Sequence, residues 1–362
     1  MERKRLYYSD YLQLDKILGA QHLRSSELGK PAHEEMLFII VHQAFELWFK
    51  QLLWELRDAI ARLGQDYVPE SDVGIALDRI RRMLAIVELL ERQFDVLETM
   101  TPQQFMEFRD LLYPASGFES VQFRMLEVLL GVDERHRVQI DAAGYRARLH
   151  DHDRTALERV AAEPNLFATI ERWLEKMPFM ESSGYRFLDA YRRAVERIFA
   201  HDREELHRVA TLSDDERRKQ LDQIARLEAH FAALFDEGAY RQLIERGEKR
   251  MSQRATLAAL FIAVYANYPL LQQPYRLLDA VLELDKRVSL FRFRHALMVS
   301  RMIGQRTGTG GSSGFDYLMK TVLQHRVFTD LAALASYILP SSQVPPLPPD
   351  IAEKLHFVAE LR

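Results

Sequence analysis

Two histidines stand where the chain otherwise carries apolar side chains. The first, His42, lies in MLFIIVHQAFELWFKQLLWEL (36–56), a stretch apolar on nearly all sides, as in a buried helix. Its polar exceptions His42, Glu46 and Lys50 recur every four residues and form one stripe. Phe38, His42 and Phe45 share a face at i−4, i and i+3. Two chemistries fit. One is a core histidine satisfied by Glu46 or by a backbone group. The other is an aromatic pocket into which one imidazole points. His33-Glu34 does not open a zinc-protease motif, because position 37 is Leu rather than His. The second histidine, His295, sits mid-helix in VSLFRFRHALMVSRMIG (288–304), with Arg292, Arg294 and Arg301 nearby. A neutral imidazole in an apolar slot is either structural or the axial ligand of a haem. The arginines could then face haem propionates. With no CxxCH motif, any such haem is held without covalent bonds.

Directly after His295 comes GQRTGTGGSSG (304–314). It lacks the Lys of a phosphate-binding loop and follows a helix rather than a strand. It reads either as a helix terminator with a flexible turn, or as a run of amides and hydroxyls that closes over a small polar ligand. His150 and His152, in LHDHDR, read as solvated residues of a charged loop.

These residues need helices to position them. Glycine is scarce, 15 in 362 residues, and five of those fall between Gly304 and Gly314. Between the breaks run Leu-, Ala-, Glu- and Arg-rich stretches with helical spacing. They predict helices over 33–63, 73–98, 119–130, 166–176, 185–199, 213–235, 252–268, 275–303, 312–325 and 328–338. Thr101-Pro102-Gln103-Gln104 predicts an N-cap with proline at the first helical position, opening a short helix to Leu112. No pair of alternating runs flanks an Asn-Gly or Asp-Gly turn, so hairpins find no support. PSSQVPPLPPD (340–350) reads as surface coil. The expectation is all-α: one helical domain over 1–362, an N-terminal arm (1–20) at a subunit interface, and a charged helical hairpin (about 190–245) standing off the body.

Composition narrows the function. Cysteine is absent, which removes disulfides, thiol catalysis and thiolate metal sites. The net charge of −4 leaves no basic excess for a phosphate backbone, so no nucleic-acid partner is expected. No apolar segment follows the basic MERKR start, and continuous apolar runs such as Met36–Val41 fall far short of the roughly 20 residues of a membrane span. A soluble, cytoplasmic protein with no membrane contact is expected.

Three blocks, HEEMLFIIVHQAFELWFKQLLWEL (33–56), QFDVLETMTPQQFMEFRDLLYPASGFESVQFR (93–124) and FRHALMVSRMIGQRTGTGGSSGFDYL (293–318), together resemble the tryptophan 2,3-dioxygenase family. The resemblance runs from YYSDYLQLDKIL near the start to about residue 340, and is weakest over 131–165 and in the charged hairpin. It implies haem b, ferrous in the active state, with His295 as the proximal iron ligand and His42 as the distal, catalytic histidine that hydrogen-bonds the indole N–H. It further implies Phe38 and Phe105 as aromatic pocket residues, Arg109 as the partner of the substrate carboxylate, and Ser116 and Gly117 beside the haem edge. Thr309 would hold the ammonium and carboxylate end. Tyr8, Tyr11 and Leu12 would reach a neighbouring subunit's site in a homotetramer, a dimer of dimers. The implied reaction inserts O2 across C2–C3 of L-tryptophan to give N-formyl-L-kynurenine. Many members carry Trp three to four residues before the proximal histidine; Leu290-Phe291 stands here instead, which bears on redox tuning rather than on haem binding.

The residue types suit these roles. A guanidinium forks onto a carboxylate, and an amino-acid zwitterion is costly to bury unless both ends are paired. A related enzyme acting on an indole that lacks the amino-acid end has no use for both Arg109 and Thr309. A haem-based sensor without turnover needs no zwitterion clamp.

Overall fold

The computed structural model describes residues 5–115, 117–133, 149–182, 184–304, 306 and 314–356. Ser116 and Thr309 lie outside these residues, as does most of the predicted polar stretch 131–165 up to Leu149.

Three short helices, α1 (Tyr8–Leu12), α2 (Leu14–Leu18) and α3 (Arg24–Glu27), lead into α4 (Glu35–Leu63). The last step is pinned by Glu35, a buried carboxylate that accepts the backbone N–H groups of Arg24 and Ser25 at 2.8 and 3.0 Å. Burying it is tolerated because those donors meet it. α4 packs along α5 (Glu70–Leu97) through Phe45, Phe49, Leu52, Leu56, Ile80, Leu90 and Phe94, all in the core. The opposite face of α4 leaves Met36, Ile40, Leu47 and Trp54 exposed.

By length and composition α4 could cross a membrane, contrary to the expectation that apolar stretches fall short. The continuous runs are short, but mean hydropathy over an 18-residue window of the helix is high. Its buried Glu55, held by Arg79 and Arg82 of α5 at 3.5 and 2.8 Å, makes it a core helix of a helical bundle.

Thr101 caps α6 (Pro102–Met106), with Gln104 returning a hydrogen bond to the Thr101 N–H at 2.8 Å. The predicted helix to Leu112 breaks after Met106 and resumes as a 3-10 turn, Arg109–Leu112. α7 (Val121–Leu130), capped by Ser120, stops at Gly131. There φ is +99° and a Cβ would lie 2.7 Å from Phe167, so only glycine turns the chain.

α8 (Asp151–Ala161) begins inside LHDHDR, correcting the loop reading: Leu157 and Val160 are buried, and the acidic first turn suits a helix N-terminus. α9 (Leu166–Glu175) follows. Then comes a hairpin that the sequence did not suggest, β1 (Glu181–Ser182) against β2 (Tyr185–Arg186). Two residues per strand are too few to show alternation.

α10 (Phe187–Arg208) pairs with α11 (Asp214–Phe235), which a Ser213–Glu216 capping box opens. Their apolar ends, Phe199, Phe231 and Phe235, are in the core, while Arg203 and Glu228 pair farther out. α12 (Glu237–Glu245) and α13 (Gln253–Val264) lead to α14 (Pro269–Ile303). This long helix starts before the predicted position 275 and carries Pro274 within it, because Leu271, Pro274, Leu277 and Leu278 are buried together. α14 packs along α5, and α15 (Gly314–Gln324) lies on α14. α16 (Thr329–Ala333) and α17 (Pro349–Leu355) close the described chain. The Pro-rich stretch is not mere surface coil. Tyr265 donates its O–H to the Pro345 carbonyl at 2.6 Å, and Leu347, Ile351 and Leu355 are buried.

Candidate active site

α4, α5, α6, α7, α14 and α15 enclose a cavity of about 300 Å³. Its wall is largely aromatic: Phe38, Phe45, Phe49, Phe94, Phe105, Phe123 and Phe291. His42 and His295 both line it, from α4 and α14.

His42 resolves the two chemistries left open by its helix in an unexpected way: it is both satisfied and turned into the cavity. Its Nδ1 lies 2.7 Å from the Phe38 carbonyl one turn earlier. A carbonyl only accepts, so Nδ1 carries the proton and Nε2 keeps a free lone pair. Burial holds the His42 pKa below the usual imidazole value, against the Phe38 carbonyl and the Glu46 charge, which raise it. The ring tilts on Phe38 at 4.0 Å between centroids.

The His295 imidazole is pushed down to about 4 by burial first, then by His42 and Arg124. It is neutral at ordinary pH and stacks on Phe94 at 5.8 Å. No hydrogen bond to its ring contributes among the described residues. That leaves a neutral imidazole lining a largely aromatic cavity, the setting in which a histidine can serve as the axial ligand of a haem iron.

Phe38, Phe105 and Phe108 form a cluster, with Phe38 stacked on Phe105 at 5.7 Å and Phe105 edge-on to Phe108 at 5.4 Å. The capping box at Thr101 sets α6, and Gln104 ties it to Glu34 at 2.7 Å. Arg109 then enters the cavity wall from the 3-10 turn. Gly117 lines the same wall. Phe38, His42, Phe105, Arg109, Gly117 and His295 therefore share one cavity. Tyr8 and Tyr11 do not: they are 75% and 70% exposed on α1, which buries no residue, Leu12 included.

Sequence reasoning missed a buried charge cluster on the far wall. Glu127 of α7 accepts from Arg124 at 2.8 Å and from Arg292 at 2.9 Å, and lies 3.0 Å from Nδ1 of His325. Of the three arginines near His295, only Arg292 reaches the cavity. Arg294 pairs with Asp95 and Arg301 with Glu98, which corrects their assignment to a cofactor edge. Arg292 precedes His295 by three residues and so shares its face, a signal that was available. Its buried Nε has no partner among the described residues. An aromatic cavity with a lone imidazole on one wall and an unsatisfied guanidinium N–H beside it fits a flat apolar group with an anionic edge.

The sequence profile of the family described as tryptophan 2,3-dioxygenase matches residues 1–338. The chain is 42% identical to a tryptophan 2,3-dioxygenase of Bdellovibrio bacteriovorus over 97% of its own length and 98% of that protein. It is 40% identical to a tryptophan 2,3-dioxygenase of Dictyostelium discoideum over 98% of this chain and 89% of that one. Against the Xenopus laevis enzyme of the same description it is 42% identical, over 97% and 86%.

Proposed function

The chain belongs to the tryptophan 2,3-dioxygenase family, and from that membership we propose a role for each side chain of the cavity. Its activity is that of a tryptophan 2,3-dioxygenase, opening tryptophan catabolism. Haem b is held by His295, whose neutral imidazole needs to lose no proton to ligate iron. When bound in its ferrous state, the haem supplies the dioxygen chemistry that the protein's own side chains lack.

The remaining work falls to the chain. Phe38 and Phe105 form the slot for the indole ring. His42 accepts the indole N–H at Nε2, since its own proton is committed to the Phe38 carbonyl. It orients the ring and is not required to remove that proton, because an indole N–H is a very weak acid. Arg109 takes the substrate carboxylate, and Thr309 the ammonium end. By the family match Ser116 and Gly117 belong to the loop beside the haem edge, and Gly117 lines the cavity. Binding both ends of the zwitterion offsets the cost of taking it out of water. Together these contacts hold C2–C3 of the indole in place and keep water out, so that both oxygen atoms enter N-formyl-L-kynurenine.

We read residues 1–362 as one cytoplasmic unit with the α10–α11 pair standing off it, assembled as a homotetramer, a dimer of dimers. The exposed apolar residues Leu6, Tyr7, Tyr8 and Tyr11, and the Met36–Ile40–Leu47–Trp54 face of α4, support burial against further copies. In that assembly Tyr8, Tyr11 and Leu12 of one subunit complete another's cavity.

The observation that carries this reading is the pair of imidazoles from two different helices, α4 and α14, lining one aromatic cavity, with Arg109 in the same lining. The test is to reconstitute with haem, reduce without oxygen, then add L-tryptophan and air. The absorption band of N-formylkynurenine is expected, and its absence from haem-loaded protein would overturn the reading.

A further inference from the structure

Glu46 follows His42 by one turn of α4, and both line the cavity. The partners of its carboxylate are neutral. Ser120 donates its O–H to Oε1 at 2.6 Å, and Gln122 donates an N–H to Oε2 at 2.8 Å. The same Gln122 nitrogen also reaches the Glu46 carbonyl at 2.9 Å. Both donors are fixed by the start of α7, where Ser120 also accepts the Phe123 N–H. Donors fixed in this way hold the carboxylate in one place. The other acid of the cavity, Glu127, pairs with Arg124 and Arg292. Glu46 has no ion pair among the described residues. The charged and titratable groups sharing its cavity are His42, Arg109, Arg124, Glu127, Arg292, His295 and Tyr317.

We propose that Glu46 is a positioning residue that keeps a fixed negative charge, outside any ion pair among the described residues, against the cavity and thereby sets the electron affinity of the group held by His295. The inference rests on haem occupying this cavity. In a space walled by phenylalanines the charge is poorly screened. It favours ferric over ferrous iron, so less of the iron takes up an electron from an external reductant at a given potential. Net charge and burial are among the means by which a protein tunes a bound iron centre. Ser120 and Gln122 each hold one oxygen of the carboxylate in place.

The test is the midpoint potential of haem-loaded protein, from reductive titration with dithionite followed in the Soret band. Glu46→Gln removes the charge and keeps the shape. Its reduction equilibrium is expected to rise roughly tenfold, about 59 mV for one electron. Gln122→Lys places a cation beside the carboxylate and should shift the potential in the same direction, independently of how well Glu46→Gln folds. Glu46→Asp and Ser120→Ala retain the charge and should stay near wild type. Unchanged potentials in Glu46→Gln and Gln122→Lys overturn the proposal. Equal shifts in all four variants also overturn it, since Glu46 would then be only a strap between α4 and α7. Failure of the wild-type chain to take up haem shows as a missing Soret band before any potential is read; it overturns the haem reading and this inference with it.

Discussion

His42 and His295 sit on different helices and line one cavity, where the ring of His42 works against protonation of His295. Each has a different claim on its nitrogens. His42 spends its proton on the Phe38 carbonyl, and His295 has no such bond among the described residues. The two are therefore not interchangeable: one is an oriented acceptor, the other an open ligand.

Replacing His295 with Ala should leave the far-ultraviolet circular dichroism largely helical and strip the protein of haem. Absorbance at the Soret band per mole of protein measures this. A full complement of haem with an unaltered spectrum would place the ligand elsewhere.

Arg109→Ala should act on substrate rather than on haem content. Losing the partner of a buried charge costs roughly 2–5 kcal/mol, so L-tryptophan should bind far more weakly. Tryptamine, with no carboxylate, should lose much less. Spectroscopic titration of both ligands decides the point, and equal losses would remove Arg109 from the carboxylate.

For His42→Ala, haem content should survive, because the iron ligand lies on α14. The lost hydrogen bond should cost about 1–2 kcal/mol, about one order of magnitude in kcat/KM. 1-Methyl-L-tryptophan has no N–H to donate and crowds this position. The preference for L-tryptophan over it should therefore shrink in the variant at matched haem occupancy. A constant preference would mean that Nε2 does not meet the indole nitrogen.

The His42 pKa is lowered in the folded chain, so the unfolded state binds its proton first as pH falls. Its contribution to stability is complete above the unfolded imidazole value of about 6.5 and is lost as pH drops from there through the folded pKa. Urea unfolding of the haem-free protein should show stability declining below that pH, and the decline should be shallower in His42→Gln. An identical slope in both would remove His42 as a contributor.

Glu127→Gln should be strongly destabilising, by roughly 3–5 kcal/mol. The variant strips the carboxylate from the buried guanidiniums of Arg124 and Arg292. Urea denaturation reads the loss. A variant as stable as wild type would mean that the cluster is neutralised without Glu127.

The helices were written in local spacing. The periodic runs of α4, α5 and α14, the caps at Thr101 and Ser213, and the break at Gly304 each depend on residues within a turn or two of one another. His42 and His295 were visible as polar exceptions within such runs, and the three matching blocks were enough to indicate the family. Where local signal was thin, the reading failed: two-residue strands show no alternation, and Pro274 signals a break that the surrounding buried side chains override.

Tertiary structure alone decided what faces what. It selected Arg292 over Arg294 and Arg301, joined Glu127 to a cluster with Arg292 and His325, and brought Ser120 and Gln122 onto Glu46. Such pairings depend on which helix faces are pressed together, and no spacing within a single helix encodes the partner on another. The tautomer of His42 lies between the two. The Phe38 carbonyl is one turn away in sequence, but only the enclosing helices remove the water that would otherwise compete for Nδ1.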